Sequence, residues 1–586
     1  MRRLLCGWFS ACLILFSTAQ VQALKLPKNA DEIDIEKVIS QMSLREKVGQ
    51  LLLIGFPGTR VTSHMRSWIN DRKVGGVVLF SRNLVDFEQT ARFTRDLQDL
   101  TRGHIPLFLA LDQEGGNVVR VKEGTILLPS NMALGATRSS TLSYVAGQAL
   151  AVDLRLMGFN MNLAPVLDVN SNPKNPVIGI RSYGEKADLV ANLGSWYVRG
   201  QQEMGVAAVA KHFPGHGDTH SDSHFSMPSI DADRARLSKV ELKPFKRAVE
   251  SGLDAIMTAH IALPRISEEP DLPATLSKNI IDGLLRKQLG YDGLVLTDGL
   301  EMQAIVQSYG SGTAAVMAIQ AGADMPMILW TADKQREVYS GIIQAVKDGR
   351  ISQKRLDQSV RRILEAKFRR RLFHREVEPL KSVLKKRNRN EVHAQVAQRI
   401  AREAVTLVRN RGEFLPLSSE DKRKMLVVAP RGAFAKAMAK RPNTKVIALP
   451  YSMSRRRRAK ALRDVSEALR KADAWIIAAS NRYHIAIGQK AAKAFPNKPF
   501  AFLSFASPYF LNYLPNASAY VCTYSYLKDA QKAAAAAVLG EYTMSGKLPV
   551  TIPGMYSYDH RIEQSRDLQP RAKLNIEEEI PPASTL

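Results

Sequence analysis

The segment 211–224 holds the densest group of residues that could do chemistry. It reads KHFPGHGDTHSDSH, and four histidines recur in it at intervals of four residues: His212, His216, His220 and His224. On a helix, this spacing would place four imidazoles on one face and would suggest a metal site. Pro214 and the glycines on either side of His216 disfavour a helix, because proline removes a backbone donor and glycine has low helix propensity. We therefore predict a long loop that leaves a strand, with no metal.

The same segment contains a carboxylate and an imidazole at close spacing. Asp222 stands two residues before His224. At this spacing the carboxylate can accept a hydrogen bond from one ring nitrogen, which orients the ring and raises its basicity. The other ring nitrogen can then donate or accept a proton near neutral pH. The pair predicts a general acid and base.

Further ionisable residues stand where apolar, strand-like runs end. They are Asp112, Asp168, Lys211, His212, His260 and Asp298. Burying unpaired charge is strongly destabilising, so this many ionisable groups on apolar strands indicates a purpose. Asp168 and His260 fit a structural role equally well. In a parallel barrel, working residues lie at the carboxyl ends of the strands, which makes the group a candidate active site.

The elements that must position these residues alternate between short β-branched runs and amphipathic helical stretches. Ser43 and Glu46 form a capping box at the start of an early helix. Eight strands are predicted: 51–55, 76–80, 106–112, 160–167, 206–212, 255–260, 293–298 and 324–329. Eight βα units predict a closed (β/α)8 barrel over residues 24–375, although Pro326 would interrupt the last strand.

A second alternating block follows a basic segment. Residues 376–400 are interpreted as a linker, residues 401–560 as a carboxyl-terminal domain, and residues 561–586 as an extended tail. Five strands are predicted in the second domain: 425–429, 446–449, 474–479, 500–505 and 519–523. With the helices between them, they predict a smaller, doubly wound α/β sandwich domain.

Composition excludes several classes of protein. The chain has 586 residues, 45% of them hydrophobic, and a formal net charge of +27. These values exclude wholesale disorder, collagen-like repeats and multi-span membrane insertion. The charge favours anionic surroundings, such as nucleic acid, lipid headgroups or acidic envelope polymers, without choosing among them. No aromatic-interleaved basic element is present, so we expect no nucleic-acid partner.

The amino terminus predicts export. A basic start, an apolar run over residues 4–16 and a small residue at Ala23 are typical of a signal peptide over residues 1–23. The run is too short for a membrane span. A lipid attachment site at Cys12 is disfavoured, because the expected leucine three residues earlier is missing. We expect a periplasmic or secreted protein whose one remaining thiol, Cys522, forms no internal disulfide.

Four stretches resemble glycoside hydrolase family 3 and most closely its bacterial β-N-acetylglucosaminidase branch. They read LALDQEGGNVVRV (109–121), NPVIGIRSYG (175–184), KHFPGHGDTHSDSH (211–224) and LTDGLEM (296–302). The second block also resembles the family's carboxyl-terminal domain, in AREAVTLVRNRGEFLPLS (401–418) and SGKLPVTIPG (545–554). The similarity covers nearly all of the chain after residue 23. The four stretches occur in the same order as in that family, and together they form a specific signature.

The resemblance implies a retaining mechanism without a cofactor or metal. Asp298 would be the nucleophile that forms a covalent glycosyl-enzyme, and His224, oriented by Asp222, would be the acid and then the base. Retaining glycosidases usually employ two carboxyl groups. A histidine in the second role departs from that pattern but titrates near neutral pH without a large shift.

The resemblance also implies a binding site for the terminal sugar. Its hydroxyl and acetamido groups would be bound by Asp112, Arg120, Arg181, Lys211 and His212, whose carboxylate and cationic groups suit that role. Gly115 and Gly116 would let the backbone approach a ligand or adopt positive φ.

These residues lead to one expected function and three alternatives. We expect an exo-acting β-N-acetylhexosaminidase that acts on peptidoglycan fragments or other envelope glycans. Within the same family, the alternatives are a β-glucosidase or a β-xylosidase, but these generally lack the Asp-x-His loop. A catalytically idle envelope glycan-binding protein would require damage at Asp298, Asp222 or His224, and the sequence shows none.

Overall fold

The computed structural model describes residue 26 and residues 30–223, 226–374, 379–387, 391–418 and 420–564. The predicted signal peptide, His224 and most of the predicted tail lie outside the described residues. Among the described residues, no helix is long and apolar enough to cross a membrane.

The first domain is a closed barrel of eight parallel strands, each paired with its neighbour in chain order and the last with the first. The strands are β1 Leu53–Gly55, β2 Gly76–Val78, β3 Phe108–Leu111, β4 Met161–Asn162, β5 Ala207–Phe213, β6 Ala255–Thr258, β7 Leu294–Gly299 and β8 Met325–Ile328. All eight lie within or overlap the predicted runs, which confirms the barrel. Their residues are almost entirely buried, as expected for parallel strands covered on both faces.

β8 tolerates Pro326 because its pairing with β7 is irregular there. Leu296 pairs with Met325 and Gly299 with Met327, so the register shifts between the two pairs. The Met327 N–H donates instead to the hydroxyl of Thr297, at 3.0 Å. Proline within a sheet is found at edges and bulges, where its missing N–H breaks no ladder bond.

Helices surround the barrel. They are α1 Ile35–Gln41, α2 Leu44–Leu51, α3 Ser63–Arg66, α4 Phe87–Asp99, α5 Asn131–Thr137, α6 Ser140–Leu156, α7 Ala187–Glu203, α8 Arg234–Lys239, α9 Leu242–Glu250, α10 Gln303–Val306, α11 Ser311–Ala321, α12 Ala332–Lys347 and α13 Gln353–Arg369. Two π-helical segments, Ser67–Asp71 and Asn279–Gln288, complete the ring together with short 3-10 turns. The capping box at the start of α2 is confirmed, because Ser43 and Glu46 exchange hydrogen bonds.

Residues 376–400, interpreted from the sequence as a linker, are mostly helical where the structure describes them. They contain α14 Leu380–Arg387 and most of α15 Glu391–Ala404. Helix α15 packs on α5 and α6 of the barrel and on the second domain, and it buries Val396 and Ile400 completely. Its apolar stripe recurs at helical spacing between basic and polar residues, and the stripe becomes buried only when both domains are present.

The second domain is built on a six-stranded sheet, one strand more than predicted. Its strands are β9 Thr406–Asn410, β10 Met425–Pro430, β11 Thr444–Leu449, β12 Ala474–Ala479, β13 Phe500–Ser504 and β14 Ala519–Cys522. In the order β11-β10-β12-β13-β14-β9, the added strand β9 is antiparallel to β14 and lies at an edge. The helices are α16 Ala433–Met438, α17 Arg455–Lys471, α18 Arg482–Ala494 and α19 Lys528–Val538.

The second domain contacts the loops that follow β3 and β4. The hydroxyl of Ser130 donates to the carbonyl of Tyr524 at 2.6 Å, and the Asn170 amide donates to the hydroxyl of Tyr509 at 3.0 Å. Both loops leave the carboxyl ends of barrel strands, which is the edge where the candidate site lies.

Candidate active site

Barrel closure brings together Asp112 and Lys211, which are 99 positions apart in the sequence. Asp112 directly follows β3, Lys211 and His212 lie in β5, and Asp298 lies in β7. The Nζ of Lys211 is 2.7 Å from Oδ1 of Asp112, and Arg120 pairs with the other carboxylate oxygen at 3.2 Å. Three residues predicted to bind the sugar therefore form one ion-paired group.

Glu114 completes this group and was not among the predicted site residues. Arg181 binds it in a bidentate manner, with both N–O distances 2.8 Å, and Lys211 lies 2.7 Å from its Oε1. Its side chain is only 2% exposed. Glu114 thus holds the two predicted sugar-binding cations in position. The available signal was its place in the DQEGG stretch, where two acidic residues lie near the end of a buried strand.

The charges in this group stabilise one another. Burial by itself would raise the pKa of Asp112 and Glu114, but the adjacent Lys211, Arg120 and Arg181 hold both pKa values below their usual range. Burial would lower the pKa of Lys211, yet Asp112 and Glu114 raise it above its ordinary value. The site therefore presents ionised donors and acceptors, which suits recognition of hydroxyl and amide groups.

Asp168 positions His212. Its Oδ2 lies 2.7 Å from Nδ1 of His212, while its Oδ1 accepts the backbone N–H groups of His212 and His216 at 3.2 and 2.6 Å. A carboxylate only accepts, so Nδ1 carries the proton in this pair and Nε2 is available for other contacts. Asp168, for which the sequence left a structural and a functional role open, supports a predicted binding residue.

Asp298 is held ionised at the carboxyl end of β7. The Gly299 N–H donates to its Oδ1 at 2.7 Å. Burial would raise the pKa of Asp298, but nearby His260 and His212, the Gly299 N–H and Lys211 together lower it. His260 is fully buried and contacts the Gly299 carbonyl through Nε2 at 3.0 Å and the Thr275 hydroxyl through Nδ1 at 2.9 Å. An ionised carboxylate at this position can act as a nucleophile.

The histidines of the segment 211–224 contact different partners. The loop is not a helix up to Ser223, as predicted. His216 contacts the Thr219 and Ser223 hydroxyls, and burial lowers its pKa to about 4, while His220 contacts Asn172. Over the described ranges, no group of three or more His, Cys, Asp or Glu side chains could hold a metal ion.

The acid and base pair is only partly described. Asp222 lies near the end of the loop, one residue before Ser223, which is buried. The predicted role of His224 falls outside the described residues and stays a prediction.

The glycines after Asp112 adopt the predicted conformation. Gly115 and Gly116 have φ values of 95° and 54°. A Cβ at Gly115 would lie 2.7 Å from the Pro129 carbonyl oxygen, so a larger residue would displace the loop. These positions require glycine because L side chains rarely adopt such φ values.

Comparison with known proteins agrees with this fold. Residues 43–366 match the model of the glycosyl hydrolase family 3 N terminal domain. The chain is 38% identical over 283 residues to the beta-hexosaminidase of Alkalilimnicola ehrlichii, a match that covers 47% of the chain and 80% of that relative. It is 34% identical over 382 residues to beta-hexosaminidase A of Pseudoalteromonas piscicida, covering 61% of the chain and 63% of that relative.

Solved structures are also similar to the chain across both domains. One of them is a glycoside hydrolase family 3 beta-N-acetylglucosaminidase from Paenibacillus sp. FPU-7, with a TM-score of 0.80 and 36% identity. The match covers 87% of the present chain and 99% of that structure. The likeness therefore extends well beyond the barrel.

Proposed function

This chain belongs to glycosyl hydrolase family 3 and is a glycoside hydrolase, and we propose that it is an exo-acting, retaining β-N-acetylhexosaminidase. One observation carries the proposal: Asp298, with a lowered pKa, lies near the carboxyl end of β7, close to Lys211 and His212. Such an arrangement supplies a nucleophile beside donors that can orient a sugar.

In the first step, a carboxylate oxygen of Asp298 attacks the anomeric carbon as the bond to the leaving oxygen breaks. His224, oriented by Asp222, gives its proton to that oxygen. In the second step, His224 takes a proton from water, and the water oxygen displaces Asp298 from the anomeric carbon. Two inversions at one carbon retain the β configuration.

The terminal sugar is N-acetylglucosamine in this proposal. Asp112 accepts hydrogen bonds from sugar hydroxyls, while Arg120, Arg181, Lys211 and His212 supply donors to hydroxyl and acetamido oxygens. The names of the similar proteins, beta-hexosaminidase and beta-N-acetylglucosaminidase, support this choice of substrate.

The natural substrate would be a peptidoglycan fragment or another envelope glycan, met after export. Two features of the sequence support this part of the proposal. One is the signal-like amino terminus, and the other is the net charge of +27, which favours anionic polymers.

Two measurements test the proposal. Turnover of a chromogenic β-N-acetylglucosaminide should greatly exceed that of the matching β-glucoside or β-xyloside. A strong preference for either alternative would contradict the acetyl-sugar assignment, and binding without turnover would indicate a glycan-binding protein. A 5-fluoro-N-acetylglucosaminyl fluoride should label the peptide that contains Asp298, whereas Asp298→Asn should stay unlabelled; a label elsewhere would refute the nucleophile.

A further inference from the structure

Trp330 is an exposed aromatic side chain at the mouth of the barrel. It lies two residues beyond the end of β8 and is 44% exposed, which makes it one of five large apolar side chains of this kind in the described part of the chain. Its indole packs against the backbone of Gly299, since a Cβ there would lie 3.3 Å from Cη2 of the ring. Gly299 directly follows Asp298 in β7, so the indole contacts the residue next to the nucleophile in the chain.

The backbone that carries Trp330 is held rigidly. The carboxylate of Glu301 accepts hydrogen bonds from three consecutive N–H groups, those of Leu329, Trp330 and Thr331, at 2.6, 2.8 and 2.7 Å. Arg82 donates to the Leu329 carbonyl at 2.8 Å. Charge-assisted bonds of this length are strong. The backbone of Trp330 is thus fixed in place, while 44% of the residue is exposed to solvent, where a ligand can pack against it.

A second aromatic ring joins Trp330 to the sugar-binding group. Phe80, two residues beyond β2, has its ring centroid 6.4 Å from that of Trp330 with the rings tilted by 39°. The guanidinium of Arg120 lies over Phe80 at 5.6 Å and also pairs with Asp112. One arc of the rim carries the residues of this group. From β7 through β8, β1 and β2 to β3, the arc holds Asp298, Trp330, Phe80 and Asp112 in that order.

Exposure increases from the buried charged group towards Trp330. The side chain of Lys211 is 2% exposed, that of Asp112 14% and that of Arg120 30%, and Trp330 as a whole residue is 44% exposed. The buried, charged end suits the terminal sugar, whose hydroxyl and acetamido groups need polar partners. The exposed, apolar end suits a ring that continues towards solvent, as the leaving-group side of a glycan does.

We propose that Trp330 is the stacking platform for the sugar on the leaving-group side of the scissile bond. This inference rests on the proposed function and deepens it. The C–H face of a pyranose ring is apolar and weakly positive, which matches the negative face of an indole. Trp330 would therefore favour substrates whose leaving group is itself a pyranose.

Two substrates with the same terminal sugar test the platform. N,N′-diacetylchitobiose has a sugar as its leaving group, whereas N-acetyl-β-glucosaminyl fluoride has only fluoride. For Trp330→Ala we expect kcat/KM to fall about tenfold with the disaccharide, from the size of one aromatic contact. With the fluoride we expect kcat/KM to stay within about twofold, which also shows that the variant is folded.

Two further variants sharpen the comparison. Trp330→Phe should keep most of the activity on the disaccharide, because it retains an aromatic face. Trp196→Ala removes a partly exposed tryptophan on helix α7. It should not lower kcat/KM for the disaccharide more than for the fluoride.

Three results would overturn the inference. Equal losses on both substrates would assign Trp330 a role in the barrel or at the terminal sugar, and no loss on either would remove any role in binding; both results would leave the proposed function intact. Failure of the unmodified enzyme to cleave either substrate would overturn the proposed function and the platform with it.

Discussion

Replacing Glu114 with glutamine should destabilise the barrel strongly, because it removes the negative charge that pairs with Arg181 and Lys211. Glu114 accepts two hydrogen bonds of 2.8 Å from Arg181, and its Oε1 lies 2.7 Å from the Nζ of Lys211. The Glu114 side chain is 2% exposed. Removing one partner of a buried ion pair costs about 3–5 kcal/mol, since the remaining charge is left uncompensated. Asp112 still pairs with Lys211, so the loss falls mainly on Arg181.

Urea unfolding at pH 7, followed by tryptophan fluorescence, measures the effect. With a dependence of roughly 3 kcal/mol per molar urea, the barrel transition of Glu114→Gln should shift down by about 1–2 M. Glu123→Gln is the matched control, because Glu123 is exposed on the same segment of chain.

The destabilisation should depend on pH. Arg181 and Lys211 outweigh the effect of burial and hold the pKa of Glu114 well below its usual range. Its contribution is therefore fully present above about pH 4.3, the value for an unfolded glutamate, and is lost as the pH falls through the folded value. The gap between wild type and Glu114→Gln should narrow in acid. A shift at pH 7 no larger than that of Glu123→Gln would refute the reasoning.

Three more predictions concern the chemistry and the amino-terminal end of the barrel. Asp298→Asn should lower kcat by about 10⁴-fold or more on chromogenic N-acetylglucosaminides, because the nucleophile is lost; substantial residual turnover in a carefully purified sample would count against its role. His224→Ala should lower kcat/KM by about 10²–10⁴-fold on substrates with poor leaving groups and far less on the fluoride, and equal losses on both would exclude it as the acid. Asp324→Asn should lower the free energy of unfolding by about 3–5 kcal/mol, because this fully buried carboxylate pairs with three arginines; thermal unfolding beside the exposed Asp271→Asn checks it, and equal Tm values would contradict it.

Much of the site could be predicted from strand ends alone. Asp112, Lys211, His212 and Asp298 follow or end apolar runs, and in a parallel barrel all such ends lie on one rim. The partners of these residues could not be predicted in this way. Glu114 is one carboxylate among many in the sequence, and its role depends on Arg181, which lies 67 positions away and packs against it only in the folded barrel.

The helix α15 and the strand β9 show the same limit in the second domain. Residues 391–404 carry an apolar stripe at helical spacing, but the basic, polar composition of residues 376–400 favours a linker. The stripe is buried because two domains pack on it, and that packing is not a local property. β9 was missed because a short edge strand is stabilised mainly by its antiparallel partner, 109 or more positions later in the chain.

Local sequence by itself determined the eight βα units, the capping box at the start of α2 and the positive φ at Gly115 and Gly116, because each depends on residues within a few positions of one another. Only the tertiary structure decided which charges pair, why Pro326 is tolerated in β8, and that Trp330 packs against Gly299 and Phe80 at the barrel rim. The physical reason is that barrel closure sets distances between strand ends, and those distances depend on all eight strands together.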